Sequence, residues 1–494
     1  MPIPRDKKHR VICFLVSALL LYLSFPNIVN PMGFSFLIFL FAIPLFFSLE
    51  GLKIKGRFFV GMAYGILSYS LLAHWIYPAN KPLFFLFVMG LSIQSVMFFC
   101  LFLPLRENRK RFGLFYLPSI WALSEWIREQ ALGGFCWTIA QSLSFNHKFI
   151  QISSVIGPYG LSFMIILVNI LLYEALGTHK LFFRRIFTVI LIIASLYLFG
   201  MARISFLERD KVTEFNVCVI QPVISREDKK DANLVVAGIK KHVELSLNCP
   251  RETKLIIWPE TAATDDALNN PEINGLIKNF TRQLKIPLLM GTATWRKGRD
   301  FNSAVLFGAD GNILNEYNKI KLIPFAEYYP RALGKYFKKR LYGNNFDFVA
   351  GKKNGVFYFN PPFGVLICSE DAYPGLFKAL AREGVNIVFV ILNDNWSQSK
   401  EALYMHLENS ILNAVSFGMT VIRSANSGIS SYIDPSGKAI FDGKDINSKK
   451  VFFYKTALSE NGTLYSRLGN IFIGVCWLFA IINLRFNLFF DKKK

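Results

Sequence analysis

The chain of 494 residues is 52% hydrophobic, carries a formal charge of +22 and has a positive mean hydropathy of +0.34. That apolar share exceeds what one soluble domain of this length needs and points to membrane insertion. The cations cluster in short loops beside hydrophobic runs and in the tails, as in a topology signal. With no Gly-rich phosphate loop and no zinc-type Cys/His spacing, neither nucleic acid, a cofactor nor a metal is expected.

Taken in chain order, apolar runs long enough to cross a bilayer (about 17–25 residues) cover 11–29, 32–49, 58–77, 83–105, 112–127, 154–173, 186–201 and 468–484. The first follows a basic run, but it lacks a small-x-small cleavage site and another span follows at once. It therefore reads as an uncleaved helix. Arg5, Lys7, Lys8 and Arg10 precede it, and Lys53, Lys55 and Arg57 fill the second loop. The fourth loop holds Arg106, Arg109, Lys110 and Arg111, the sixth Lys180, Arg184 and Arg185, and the tail Arg485 and Lys492 to Lys494. On the other side stand Lys81, Arg128 and Lys148. The positive-inside rule puts both termini in the cytoplasm and the segment after the seventh span outside.

Three domains are expected: a membrane domain of about seven helices over 1–202, an extracytoplasmic domain over 203–466, and a final span with a basic tail over 467–494. Within the spans, Glu125 and Arg128 lie on one helix face and either pair with each other or serve function. Of the seven cysteines, Cys218 and Cys249 can pair if their domain is extracytoplasmic, although nothing in their spacing demands it.

Beyond Met201 the pattern changes. Strands are expected at 215–221, 254–258, 287–292, 304–307, 364–368, 385–392 and 419–424, and helices at 231–247, 270–284, 375–382 and 401–417. Alternating strands and helices indicate an α/β layered fold. Three places carry candidate chemistry. Glu260 follows the buried run Leu255-Ile256-Ile257-Trp258-Pro259. Lys319 precedes an apolar stretch that ends in Glu327. Cys368 stands where Gly364-Val365-Leu366-Ile367 breaks towards a helix, followed by Ser369, Glu370 and Asp371. Each has an ordinary alternative. A cysteine ending a strand is a small hydrophobe, a lone Glu is a cap, and Lys319 beside Lys321 is surface charge. The order of the three, with these flanks, carries the catalytic reading.

In that order the chain resembles the nitrilase, or carbon-nitrogen hydrolase, superfamily, and with spans on both sides it is similar to the apolipoprotein N-acyltransferases. The resemblance rests on Trp258 to Thr261, Phe301 to Ala304, Tyr317 to Glu327, Ile367 to Asp371, Asn393 to Trp396 and Arg423 to Ile429. In the membrane part it rests on Glu125 to Arg128 and Gly134 to Trp137. It implies a polytopic α-helical membrane domain plus an α/β nitrilase-like αββα sandwich. It further implies Glu260 as general base, Lys319 as oxyanion-stabilising lysine and Cys368 as nucleophile. Glu327 and Glu370 would be supporting acids, Asn302 a supporting amide and Trp396 a tryptophan beside the site.

The implied reaction moves an acyl chain from phospholipid, through a Cys368 thioester, to the α-amino group of a diacylglyceryl-cysteine apolipoprotein. A monomer in a bacterial cytoplasmic (inner) membrane is expected, with its catalytic domain periplasmic. Departures from the family pattern are Ser369 for Tyr, Ala326 for Gly, Ser397-Gln398 for Phe-Gly, and Asn413 and Ser416 for Arg and Glu. They bear on the pocket and acyl preference.

Both substrates are amphiphiles. The stretch 328–348 interleaves Tyr328, Tyr329, Tyr336, Phe337, Tyr342, Phe346 and Phe348 with Arg331, Lys335, Lys338, Lys339 and Arg340. Such a mixture suits an arm in the headgroup layer, with Tyr328, Phe337 and Tyr342 against lipid; the plain alternative is a basic loop with core aromatics. Two rival functions stay open: a membrane-tethered amidase or nitrilase-type hydrolase, and a degenerate paralogue serving as scaffold or transporter.

Overall fold

The computed structural model describes residues 7–102, 113–177, 181–209, 213–230, 234–329, 347–397, 399–443, 446–458 and 462–491. The chain divides into two compact units. One comprises Met1–Phe206, Lys400–Glu408 and Thr463–Lys494, the other Leu207–Ser399 and Asn409–Gly462.

In the first unit the described residues of the apolar runs are largely helical. Helices span Lys7–Ser24, Ile54–Leu72, Lys81–Cys100, Gly113–Ala131, Ser153–Gly177, Phe182–Arg209 and Ile471–Asp491. Among the described residues, Lys81–Cys100, Ser153–Gly177 and Phe182–Arg209 are long and apolar enough to cross a membrane. Ser153–Gly177 is largely buried by its neighbours. Phe182–Arg209 instead exposes Phe183, Phe187, Ile190 and Leu198, the pattern of a helix whose solvent is lipid. Asn80 starts the Lys81–Cys100 helix by accepting from the Leu83 amide, with Pro82 in the first turn, where a missing N–H costs nothing.

One expectation needs correcting, and one of two readings left open is set aside. The run 32–49 is not one helix but a 3-10 turn, Ser35–Phe39, followed by the helix Ala42–Leu49. Asn169 satisfies the break: its Oδ1 accepts from the Ala42 amide and its Nδ2 donates to the Ile38 carbonyl, both at 2.9 Å. An interrupted backbone in an apolar layer needs such partners. Glu125 and Arg128 do not pair with each other. Glu125 accepts from Trp121 Nε1 and the Ile139 amide, while Arg128 donates to Tyr69, Gln94 and the Trp137 carbonyl. The helix face is shared, but loop 132–138 and neighbouring helices offer nearer partners.

The second unit is an αββα sandwich. Its strands are β1 (Thr213–Gln221), β2 (Leu255–Ile257), β3 (Ala263–Asp266), β4 (Leu288–Arg296), β5 (Arg299–Phe307), β6 (Ile313–Asn318) and β7 (Val356–Phe357). They continue as β8 (Phe363–Ile367), β9 (Ile387–Leu392), β10 (Thr420–Ala425), β11 (Ser431–Ile433), β12 (Ala439–Ile440) and β13 (Lys450–Leu458). One sheet runs β13-β1-β2-β4-β5-β6 with β3 beside β4; the other runs β12-β11-β10-β9-β8-β7.

Side chains alternate across a strand. On one face Cys218, Ile220, Ile256, Trp258 and Met290 meet Ile239 of the helix Val235–Ser246 and Ile273, Ile277 and Phe280 of the helix Pro271–Leu284. On the other face Val217, Val219, Leu255 and Ile257 are also buried, so β1 and β2 read as continuous apolar runs. The Ser424 hydroxyl of β10 reaches the Ile257 carbonyl, sheet to sheet. Outside the second sheet Phe377 stacks on Phe417. Cys218 and Cys249 form a disulfide that ties β1 to the segment after its helix.

Candidate active site

Three strand ends in the second unit deliver three reactive side chains. Glu260 lies three residues beyond β2, and Gly291 on β4 lets that turn approach: a Cβ there would sit 2.6 Å from Glu260 Cα. Lys319 lies one residue past β6, where its amide donates to the Asn302 carbonyl on β5 at 2.8 Å. Cys368 directly follows β8 and opens the 3-10 turn Cys368–Ala372 with φ of 54°. A non-glycine residue in that region costs about 1–3 kcal/mol and persists only where its surroundings hold it.

Those surroundings are visible. The buried Glu370 carboxylate accepts from the amides of Ile320 (2.7 Å), Lys321 (3.0 Å) and Ile367 (2.8 Å) and from the Tyr317 hydroxyl (2.9 Å). One carboxylate thus binds the cysteine turn to the backbone that carries Lys319. Asp371 is held by Arg423 and Ser410.

The charged groups converge. Lys319 Nζ lies 2.9 Å from Glu327 Oε1 and 3.8 Å from Glu260 Oε1. Asn302 Nδ2 donates to both acids, at 2.7 Å to Glu260 and 3.0 Å to Glu327. Glu327 Oε2 also accepts from the Ile323 amide at 2.8 Å. A carboxylate oxygen of Asp394 lies within 4.8 Å of Cys368 Sγ. Lys319 is 1% exposed and Glu260 and Cys368 6%, so these charges act across a medium far less screening than water.

Burial pushes the Cys368 thiol well above its ordinary range. The Glu260 charge pushes the same way and Lys319 opposes it, so the resting nucleophile is the thiol. Burial also raises Glu260, with Lys319 countering it and Glu327 adding to it. For Lys319 burial works downward, but Glu327, Cys368, Glu260 and Glu370 together raise it, and it stays an ammonium. The arrangement offers a thiol, an adjacent carboxylate to take its proton, and a fixed cation for an oxyanion.

Of the expected site residues, the structure brings Glu260, Lys319, Glu327 and Asn302 into direct contact and ties Glu370 to the backbone on both sides of the pocket. Tyr328 is half-buried beside them, its carbonyl accepting from the Phe325 amide. Trp396 lies half-buried in the turn after β9. Phe337 and Tyr342 lie outside the described residues. Of the departures, Asn413 donates to the Asp371 carbonyl at 2.8 Å. Sequence reasoning missed Lys229 and assigned no role to Asp371 or Asp394, although Ile367 to Asp371 and Asn393 to Trp396 already stood out.

A family model described as the apolipoprotein N-acyltransferase N-terminal domain matches residues 17–171, and one described as carbon-nitrogen hydrolase matches 219–458. The chain is 29% identical over 452 residues to apolipoprotein N-acyltransferase 2 of Treponema denticola, covering 83% of this chain and 84% of the relative. It is 27% identical to the apolipoprotein N-acyltransferase of Geobacter metallireducens, covering 94% and 92%. Among solved structures, a Saccharomyces cerevisiae member of branch 10 of the nitrilase superfamily aligns with 50% of this chain and 91% of its own. It does so at 18% identity and a TM-score of 0.39.

Proposed function

The chain belongs to the apolipoprotein N-acyltransferase family, and from that premise we propose that Glu260, Lys319 and Cys368 carry its acyl transfer. It is a membrane-associated acyltransferase of the carbon-nitrogen hydrolase superfamily acting on lipoproteins. The observation that carries the residue assignment is the buried Glu260–Lys319 pair at 3.8 Å in the same unit as a cysteine held at positive φ.

Glu260 takes the Cys368 proton as the sulfur attacks a phospholipid acyl ester. Lys319 and the Ser369 amide hold the tetrahedral oxyanion. The C–O bond breaks, the lysophospholipid leaves with the proton from Glu260, and a thioester remains. The α-amine of a diacylglyceryl-cysteine lipoprotein then attacks that carbonyl. The C–S bond breaks, Glu260 accepts the amine proton, and the sulfur is reprotonated. Ester to amide runs downhill, so the step needs no nucleotide. A monomer is part of the same proposal.

Loop charges support both termini inside and the catalytic unit outside the cytoplasmic (inner) membrane, facing the periplasm. The Cys218–Cys249 disulfide supports the same side, because cytosolic thiols are kept reduced. Three domains follow: the spans of 1–202, the catalytic unit of 203–466, and the last span with its tail. The arm of 328–348, including Tyr328, Phe337 and Tyr342, would rest in the headgroup layer.

The test is the product. Purified enzyme given phospholipid and a diacylglyceryl-cysteine peptide should yield N-acylated peptide and lysophospholipid in equal amounts. Free fatty acid without acylated peptide would favour the membrane-tethered hydrolase.

A further inference from the structure

Of the pocket carboxylates Glu260, Glu327 and Glu370, Lys319 reaches the first two at ion-pair distance. Glu370 is answered by three amides and a hydroxyl. Glu260 is left sharing one ammonium with Glu327, at the longer of the two distances. A general base must be ionised before it can take a proton, and burial alone works against that.

A second lysine stands behind it. Lys229, on the short helix Arg226–Lys230, points its ammonium at the turn that carries Glu260. Nζ donates to the Thr261 carbonyl at 2.8 Å, the Thr261 hydroxyl at 2.9 Å and the Glu260 carbonyl at 3.3 Å. All three acceptors are neutral, so these contacts fix geometry while leaving the charge to act on Glu260. Thr261 holds φ of 51°, a conformation that needs outside support. Asn393 adds to that support by donating to the Thr261 hydroxyl at 3.3 Å.

We propose that Lys229 is a positioning residue for the base: it clamps the Glu260–Thr261 turn and supplies the second positive charge that keeps the Glu260 carboxylate ionised. The inference rests on Glu260 being the acyl-transfer base. Of the groups facing Lys229, Glu260 is raised chiefly by burial and the Lys229 charge works against that rise, while His242 on the helix Val235–Ser246 is lowered chiefly by burial, with Lys229 adding to it. Glu227 and Asp228 share its helix. Burial brings Lys229 itself down to about 7, so its charge is present below neutrality.

The test compares Lys229→Met, Lys229→Gln and Lys229→Arg in the full-length enzyme, following Cys368 acylation by a small chromogenic ester between pH 4 and 9. Met and Gln should slow acylation at pH 7 by roughly ten- to a hundredfold. They should also move the acid limb of the profile upward by about one pH unit, whereas Arg returns it towards wild type. A lower rate with an unmoved acid limb would overturn the proposal, because a purely structural lysine predicts that result. So would failure of both Met and Gln variants to fold. If the wild type forms no adduct on Cys368, the triad reading falls with it; a normal wild-type adduct with an unmoved limb sinks this inference alone.

Discussion

Arg423 Nη1 donates to Asp371 Oδ2 at 2.5 Å, and neither side chain reaches solvent. Asp371 lies three residues beyond Cys368, so this buried pair anchors the turn that holds the nucleophile in its unusual backbone conformation. Ser410 donates to the same oxygen and Asn413 to the Asp371 carbonyl. Removing one partner of a buried pair strands the other charge and costs about 3–5 kcal/mol, whatever the intact pair is worth. Asp371→Ala should therefore lower the apparent melting temperature in detergent markedly. A loss of less than about 1 kcal/mol would mean the arginine finds another partner.

Glu370 should matter to rate more than to binding. Its carboxylate joins the cysteine turn to the amides after Lys319, so Glu370→Ala frees two reactive groups from each other. We expect kcat for acyl transfer to fall by about a hundredfold or more, since small misplacements near reacting atoms cost that much. The apparent KM for phospholipid should change little. A raised KM with kcat intact would assign Glu370 to substrate binding instead.

The pH profile follows from burial. Glu260 is raised above 4.5, chiefly by desolvation, so acylation of Cys368 should climb with pH through a window above the ordinary carboxylate value. For stability the sign is reversed. A carboxyl whose folded pKa is raised favours the fold fully below 4.5, and that contribution is lost as pH rises through the folded value. Glu260→Gln should abolish acylation while making the pH dependence of the melting temperature shallower. A profile already flat at the ordinary carboxylate value would contradict the desolvated base.

The disulfide closes a loop with a sequence separation of 31, and chain-entropy arguments assign such a closure about 3–4 kcal/mol. Cys249→Ser should lower the melting temperature and leave the acyl-transfer rate near wild type at 25 °C, since neither cysteine touches the pocket groups. Thiol labelling of protein from intact cells should find these two cysteines blocked until reduction. Both labelled without reductant would argue against an extracytoplasmic catalytic unit.

Glu260 and Cys368 were legible because each follows an apolar run, where the switch from strand to turn shows in the residue order, and Lys319 because it precedes one. Lys229 was not. Ser225-Arg226-Glu227-Asp228-Lys229-Lys230 reads as a solvated run, and only the tertiary approach of the Glu260 turn gives that lysine three acceptors. The pairing of Asp371 was likewise hidden, since its partner Arg423 lies 52 residues away. The long central strands announced themselves through continuous burial, whereas β6, β12 and β13 lie at sheet edges with polar residues mixed in. The break in 32–49 depends on Asn169, more than a hundred residues downstream, and no local pattern encodes it.

The most direct test of the triad is to trap the acyl-enzyme. Full-length protein incubated with phospholipid carrying a labelled acyl chain, without lipoprotein acceptor, should yield one hydroxylamine-sensitive adduct, found by peptide mass spectrometry on Cys368. The adduct should be absent from Cys368→Ala and should disappear when acceptor peptide is added. A label on another residue, or none on wild-type protein that still N-acylates the peptide, would contradict the account.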